Sequence, residues 1–247
     1  MVGRSLYNFL KKKKFNILDC KRKDLDFTKQ TLVEKWFKKN RPDIVINAAG
    51  KVGGILDNKS YQPEYIYINS MIGLNITNAC VKFNVSKLIN LGSACIYPKQ
   101  TQQPIKEKSL LSSALEKTNE GYALAKILTL KYSQHLKIKN KKQFISLMPA
   151  NLYGEGDNFD LKSSHVLPAL INKVHSAKVE NKKSIELWGS GKPLREFLFC
   201  EDLADAILYC MENINAEQIY SQNISHINCG SNEELSILDL LLKMRSE

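Results

Sequence analysis

Short apolar runs alternate along this chain with segments whose apolar residues recur every three or four positions. "FNILD" (15–19), "DIVINAAG" (43–50), "KLINLGSA" (87–94) and "QFISLMPANLYG" (143–154) are brief, rich in β-branched residues and apolar on both faces. A strand with one solvated face alternates, whereas one buried on both sides of a parallel sheet does not, so these read as central parallel strands. Between them, 31–40, 70–83 and 120–137 carry helical spacing. The βαβα order predicts a doubly wound α/β sheet. The runs end in small or polar residues: Asn47 to Gly50, Gly92-Ser93, and Pro149 to Asn151. In open α/β sheets the carboxyl ends of the strands form the ligand crevice, so these ends are site candidates.

Beyond Gly154 the rhythm loosens. "HVLPALINKVHSAK" reads as a helix, "SIELWGSGKP" as a strand and turn, and "EDLADAILYCMEN" as a helix with an acidic first turn. "SHINCG" reads as a short strand, and Leu235 to Met244 as a closing helix. The expected organisation is a dinucleotide-binding part over 1–153 and a smaller substrate lobe over 154–247. A Rossmann-like sheet opens on a strand and a glycine-rich turn. "MVGRSLYNFL" is instead already helical in pattern. The expectation is therefore a chain whose first, central strand is missing.

The 247 residues suffice for one large domain or two unequal ones. Apolar and charged contents of 43% and 25% are those of an ordinary globular protein. No apolar run reaches the length of a membrane helix and the start lacks a signal-peptide core, so no membrane association is expected. Six cysteines without a C-x-x-C pair argue against a zinc site or a disulfide framework, and suit a reducing cytoplasm. The net charge of +11 comes mostly from dispersed lysines with no interleaved aromatic patch. That pattern suits a solvated basic surface or an anionic small substrate better than nucleic acid. The one dense run, Lys11 to Lys14, falls where the first helix should end, and cations there favour the helix dipole.

Three segments carry candidate chemistry. In "NEGYALAK", Tyr122 and Lys126 lie four apart on a predicted helix and share a face. A phenol titrating near ~10 needs help to exchange protons at neutral pH, and an ammonium one turn away stabilises its phenolate. Ser93, at a strand end, is placed to hydrogen-bond the substrate oxygen that the phenol protonates. Tyr-x-x-x-Lys occurs by chance on many helices; after a strand-end serine in a βαβ order it gains weight. "LGSACIYPK" adds Cys95, either a packing residue or a second catalytic group. His165, in "SSHVLPAL", would ordinarily be a backbone-bonded residue at a helix start.

Together these motifs resemble the extended short-chain dehydrogenases/reductases. "NAAGKVGGI", "LGSACIYPK", "NEGYALAK", "MPANLYG", "NFDLKSSHVLPAL" and "WGSGKPLREFL" are similar, over essentially the whole chain, to the branch acting on a GDP-linked 4-keto-6-deoxy sugar. The resemblance implies inversion at C3 and C5 followed by reduction at C4. It implies Cys95 as the epimerisation base and His165 as the partner acid. Tyr122 then protonates the C4 oxygen, Lys126 tunes Tyr122 and grips the ribose, and Ser93 orients the ketone. NADPH is the implied cofactor, contacted by Gly3, Arg22, Leu91, Gly92, Lys126, Pro149, Asn151, Leu152 and His165. Lys21, Arg22 and Lys23 are basic residues for a 2′-phosphate, although Asp19 sits where an acid would favour NAD. For the GDP-sugar, Trp188 is the implied guanine stack and Arg195 a pyrophosphate ligand. Lys173 falls where an arginine is more usual, and a lysine there loses the bidentate donor. A homodimer is implied, paired through a helix such as 70–83. The resemblance also implies truncation at both ends, because the family's glycine turn precedes "MVG" and its substrate lobe continues past residue 247.

Other readings stay open. A sugar-nucleotide 4-epimerase needs neither Cys95 nor His165. A 4,6-dehydratase would want an acidic pair after the strand-end serine, and "SACIYP" has none. A non-catalytic fragment is favoured by the missing glycine cradle and disfavoured by the retention of Ser93, Cys95, Tyr122, Lys126 and His165 together.

Overall fold

The computed structural model describes residues 1–18, 20 and 23–246, with side chains to Met244. In order come α1 (Val2–Lys12), α2 (Gln30–Asn40), β1 (Ile44–Asn47), α3 (Ile55–Ser60), α4 (Gln62–Lys82) and β2 (Lys87–Leu91). They are followed by α5 (Glu120–Asn140), β3 (Gln143–Pro149), β4 (Asn151–Tyr153), α6 (Val166–Val179) and β5 (Leu194–Phe199). The chain closes with α7 (Cys200–Asn213), α8 (Ala216–Tyr220), β6 (Ile227–Cys229), β7 (Glu234–Ser236) and α9 (Ile237–Ser246). Strands β1, β2, β3 and β6 form one parallel sheet in that order. A smaller sheet pairs β4 with β5 in parallel and β5 with β7 antiparallel.

The period-two alternation of a strand splits the core into two layers. Ile89, Leu91, Ile145 and Leu147 pack with Leu6 and Leu10 of α1, Leu203 and Ile207 of α7, and Ile219 of α8. Leu88 and Phe144 point the other way, onto Val33 and Phe37 of α2 and Ile72 and Ile76 of α4. On that second face, Met148 meets Ala123, Ile127 and Leu130 of α5. The doubly wound architecture follows from these two apolar faces. Residues 200–219 and 227–229 belong to this layer arrangement, so the chain returns to the main sheet after building the smaller one.

Four expected elements fall differently. Phe15 to Leu18 form no strand; a strand needs a ladder, β1 is the sheet edge among the described residues, and Phe15 and Leu18 are exposed. Ser184 to Leu187 form none either, and the strand lies at β5, after Gly189 and Gly191 turn the chain at φ +77° and +71°. Helix α4 begins eight residues before the apolar run at 70–83, where Pro63 presets its first turn. The last helix begins at Ile237 because Ser236 Oγ accepts the Asp239 N–H at 3.0 Å, after β7 has paired with β5. No helix among the described residues is long and apolar enough to cross a membrane.

Candidate active site

The crevice at the carboxyl ends of β2 and β3 is built by close approach. A Cβ on Gly92 would collide with the Met148 thioether, so only glycine lets β2 leave the sheet there. Ser93 follows in extended conformation and its Oγ accepts the Cys95 N–H at 3.2 Å, starting a 3₁₀ turn over Ala94–Ile96. This turn presents the thiol beside the strand end.

Helix α5 supplies Tyr122 and Lys126 from one face. Lys126 Nζ donates to the Leu91 carbonyl at 2.9 Å and lies 5.6 Å from the Tyr122 ring centroid. Burial draws the Lys126 ammonium down to about 8, with the Cys95 sulfur opposing. The Tyr122 phenol nevertheless stands above its ordinary value. Burial pushes its phenol well up, the Cys95 sulfur adds to the rise, and the Ser93 hydroxyl draws it back. The Cys95 thiol is raised as well. Burial raises it, while the Ser93 hydroxyl, the Arg195 charge and the Asn119 side chain pull down. Ser93, Cys95, Tyr122, Lys126 and Arg195 thus act on one another within a single site.

His165 stands at the N-cap position of α6, where its side chain makes no capping bond. Burial lowers its imidazole and Asp157 opposes. Two loops fix this approach. Gly54 N–H donates to the Ser163 carbonyl at 2.8 Å, and a Cβ on Gly54 would collide with the Ser164 carbonyl. Asp160 Oδ1 accepts Ser163 N–H and Ser163 Oγ–H, both at 2.9 Å. Gly54 of "VGGI" therefore lets this loop press against the segment leading to His165, while Gly53 makes room for Tyr65 and Asp57.

The remaining candidates are spread around this centre. Lys173 Nζ donates to the Glu186 carbonyl at 2.9 Å and covers the exposed Trp188 ring at 4.6 Å. Arg195, on β5, donates to its neighbour's carbonyl, Leu194 O, at 2.7 Å. Pro149 is buried at the end of β3; on β4, Asn151 donates to the Glu196 carbonyl at 2.9 Å and Leu152 pairs with Leu198. Gly3 lies in the first turn of α1, where a Cβ would meet nothing within 4 Å. Asp19, Lys21 and Arg22 lie outside the described residues. A dinucleotide fits what is described: α1 starts without a side-chain cap, so the Val2 and Gly3 N–H groups, ahead of the Arg4 and Ser5 N–H groups bonded to the Met1 carbonyl, can meet a phosphate, and Lys126 keeps two donors for a ribose.

Several residues escaped the sequence reading. Tyr65, fully buried, sets its ring edge-to-face on Tyr122 at 6.1 Å and donates its hydroxyl to the Asp57 carboxylate. Asn69 clamps the loop after β1, accepting Lys51 N–H at 2.9 Å and donating to the Lys51 carbonyl at 3.0 Å. Asn119 holds the N-cap position of α5 yet makes no capping bond, and it acts on Cys95 instead. A cap-type residue three positions before Tyr-x-x-x-Lys was the available signal.

Fold and side chains together define a dinucleotide-dependent enzyme of the Ser–Tyr–Lys kind, with a thiol added beside the triad. Residues 1–230 match the NAD dependent epimerase/dehydratase family, and the chain belongs to it. It is 44% identical over 240 residues to the GDP-L-fucose synthase of Sinorhizobium fredii, covering 97% of this chain and 74% of that protein. Among solved structures it is similar to the GDP-mannoheptose C4 reductase of Campylobacter jejuni with NADP bound (33% identity, TM-score 0.91, 99% of this chain and 81% of that one). It is also similar to the GDP-L-fucose synthetase of Naegleria fowleri bound to NADP (30% identity, TM-score 0.87, 99% and 74%).

Proposed function

We propose that this protein catalyses NADPH-dependent 3,5-epimerisation and 4-reduction of GDP-4-keto-6-deoxy-mannose to GDP-L-fucose. The observation that carries the reading is the thiol of Cys95 set among Ser93, Tyr122, Lys126 and Arg195. A C4 reductase or 4-epimerase has use for the triad and none for the sulfur. A proton alpha to the C4 ketone is removed by Cys95 and returned from the opposite side by His165, with Ser93 holding the enolate oxygen. Tyr122 then gives its proton to the C4 oxygen, and Lys126 stabilises the phenolate left behind. When bound, NADPH supplies the hydride to C4. Residues 1–153, with α7, α8 and β6 returning to the same sheet, hold the dinucleotide and the rest of 154–247 the sugar nucleotide, Trp188 stacking on guanine and Arg195 binding the pyrophosphate. The protein works in the cytoplasm as a homodimer.

The test uses the 247-residue chain beside a version extended at its N-terminus by a strand and glycine turn. Each is mixed with NADPH and the 4-keto sugar in D2O, and deuterium at C3 and C5 is followed with nicotinamide absorbance. Cys95→Ser is expected to cut deuterium uptake by about 100-fold and hydride transfer far less, with Tyr122→Phe showing the reverse. Equal loss of both steps in each variant overturns the division of labour. No reaction from either folded protein overturns the substrate.

A further inference from the structure

Tyr97 ends the turn that carries Cys95, and its side chain is only 5% exposed. Its hydroxyl lies 2.7 Å from Nε2 of His226, a residue with no exposed surface, and also donates to Oδ1 of Asn228. The direction of each proton follows from the partners. Asn228 Nδ2 donates to the Ile105 carbonyl at 3.1 Å, which leaves Oδ1 as the acceptor. The single Tyr97 proton is therefore spent on Asn228, so His226 must donate Nε2–H to the Tyr97 oxygen. Its Nδ1 then accepts from Ser225 Oγ at 3.0 Å. The Asn228 N–H, on the side of β6 away from β3, goes to Glu107 at 3.1 Å. One arrangement of protons satisfies the whole chain from Ser225 to Ile105.

We propose that His226 and Asn228 are positioning residues for Cys95, fixing through the Tyr97 hydroxyl the turn that presents the thiol. The inference rests on the epimerase reading of Cys95 given above. Only Ile96 separates Cys95 from Tyr97, and Tyr97 N–H closes the turn on the Ala94 carbonyl at 3.2 Å, so a swing of the tyrosine moves the sulfur. Ser93 caps the same turn from the end of β2, whereas Tyr122 and Lys126 are carried by α5, so the relay acts on the thiol more directly than on the phenol and the ammonium. A buried polar chain contributes little net stability over apolar packing of the same shape, but it tolerates only one geometry. Loss of the relay should therefore separate two steps that share one site.

The experiment compares Tyr97→Phe, His226→Leu and His226→Gln, the last keeping an N–H donor, with the native protein. Thermal melts identify the folded variants. Two readouts follow: deuterium uptake at C3 and C5 per NADPH oxidised, and the alkylation rate of Cys95 by iodoacetamide, read by peptide mass spectrometry. Displacing a reacting group by about 1 Å can cost 100-fold, so a partial shift should lower the uptake-to-hydride ratio by at least about tenfold in Tyr97→Phe and His226→Leu. Cys95 alkylation should change by more than about threefold in the same variants, and His226→Gln should restore most of both. An unchanged ratio with unchanged alkylation in folded Tyr97→Phe overturns the proposal. If the native protein takes up no deuterium, the substrate reading has failed, and the alkylation arm alone decides whether the relay positions the sulfur.

Discussion

His226 is buried as a neutral imidazole, and burial draws it down to about 4, with Glu107 raising and Lys131 lowering it. A base whose folded value lies below its unfolded value leaves stability intact above the unfolded value and loses it as pH falls toward the folded one. Between pH 6.5 and about 4 the unfolded chain binds a proton that the folded chain refuses, a difference approaching about 3 kcal/mol. Urea unfolding at pH 7 and pH 4.5 should show a larger loss for the native protein than for His226→Gln; equal losses would remove His226 as the cause. The site itself titrates in two directions. Cys95 is raised, so deuterium uptake at C3 and C5 should climb with pH beyond a thiol's usual ~8.5. Lys126 loses its charge as pH rises through about 8, so hydride transfer should decline there. The two rates, followed from pH 7 to 10, should diverge; parallel profiles would contradict this assignment. The strand-end place of Ser93 and the shared helix face of Tyr122 and Lys126 were readable from spacing together with the βαβ order. The direction of the Cys95 and Tyr122 shifts was not, because burial set by distant packing outweighs the neighbouring charge.

Helices α4 and α5 touch where Gly73 faces Thr129, and a Cβ on Gly73 would collide with that side chain. Gly73→Ala should cost about 1–3 kcal/mol, and Gly73→Ala/Thr129→Ala should cost less than the sum of the two single changes. Additive losses in a denaturation cycle would mean the helices separate freely. A second joint ties β2 to α7. Lys87 Nζ donates to the Cys210, Met211 and Ile214 carbonyls at 2.9, 2.7 and 2.6 Å, closing the helix end that has no basic residue of its own. Lys87→Met should cost about 1–3 kcal/mol by leaving those carbonyls unpaired. An unchanged urea midpoint would show that water replaces the ammonium. The strands at 44–47, 87–91 and 143–149 were legible because they are apolar at successive positions. Phe15 to Leu18 has the same composition and no ladder, and composition does not report a partner strand. Ser184 to Leu187 misled for the same reason. The helix starts at Gln62 and Ile237 depended on a proline and a serine cap outside the apolar runs.

At the scale of the molecule, the homodimer proposal must find its surface. The expected helix face at 70–83 is occupied: Ile72, Ile76, Ala79 and Cys80 are all buried within the chain's own core. That pattern looked amphipathic because a helix packed between a sheet and two other helices is apolar nearly all round. Exposed apolar side chains lie instead on the first turns of the same pair of helices. Ile66 and Tyr67 of α4 are 37% and 61% exposed, and Leu124 and Leu128 of α5 are 40% and 44%. Leu124 and Leu128 are one turn apart and share a face. A two-fold axis across this face would bring both leucines of each protomer together, and each fully buried leucine contributes about 1.5–3 kcal/mol. Leu124→Glu/Leu128→Glu would set four carboxylates into that contact, two from each copy, where unpaired buried charge is strongly unfavourable. Sedimentation velocity at low micromolar concentration should show a dimer for the native protein and a monomer for the double variant, with the melting temperature little changed because neither leucine is a core residue. A double variant that stays dimeric moves the interface elsewhere, and a monomeric native protein removes the dimer. Activity separates the consequences further: Tyr122 and Lys126 lie on the same helix as the two leucines, so an active monomer would show that α5 holds its catalytic face without a partner.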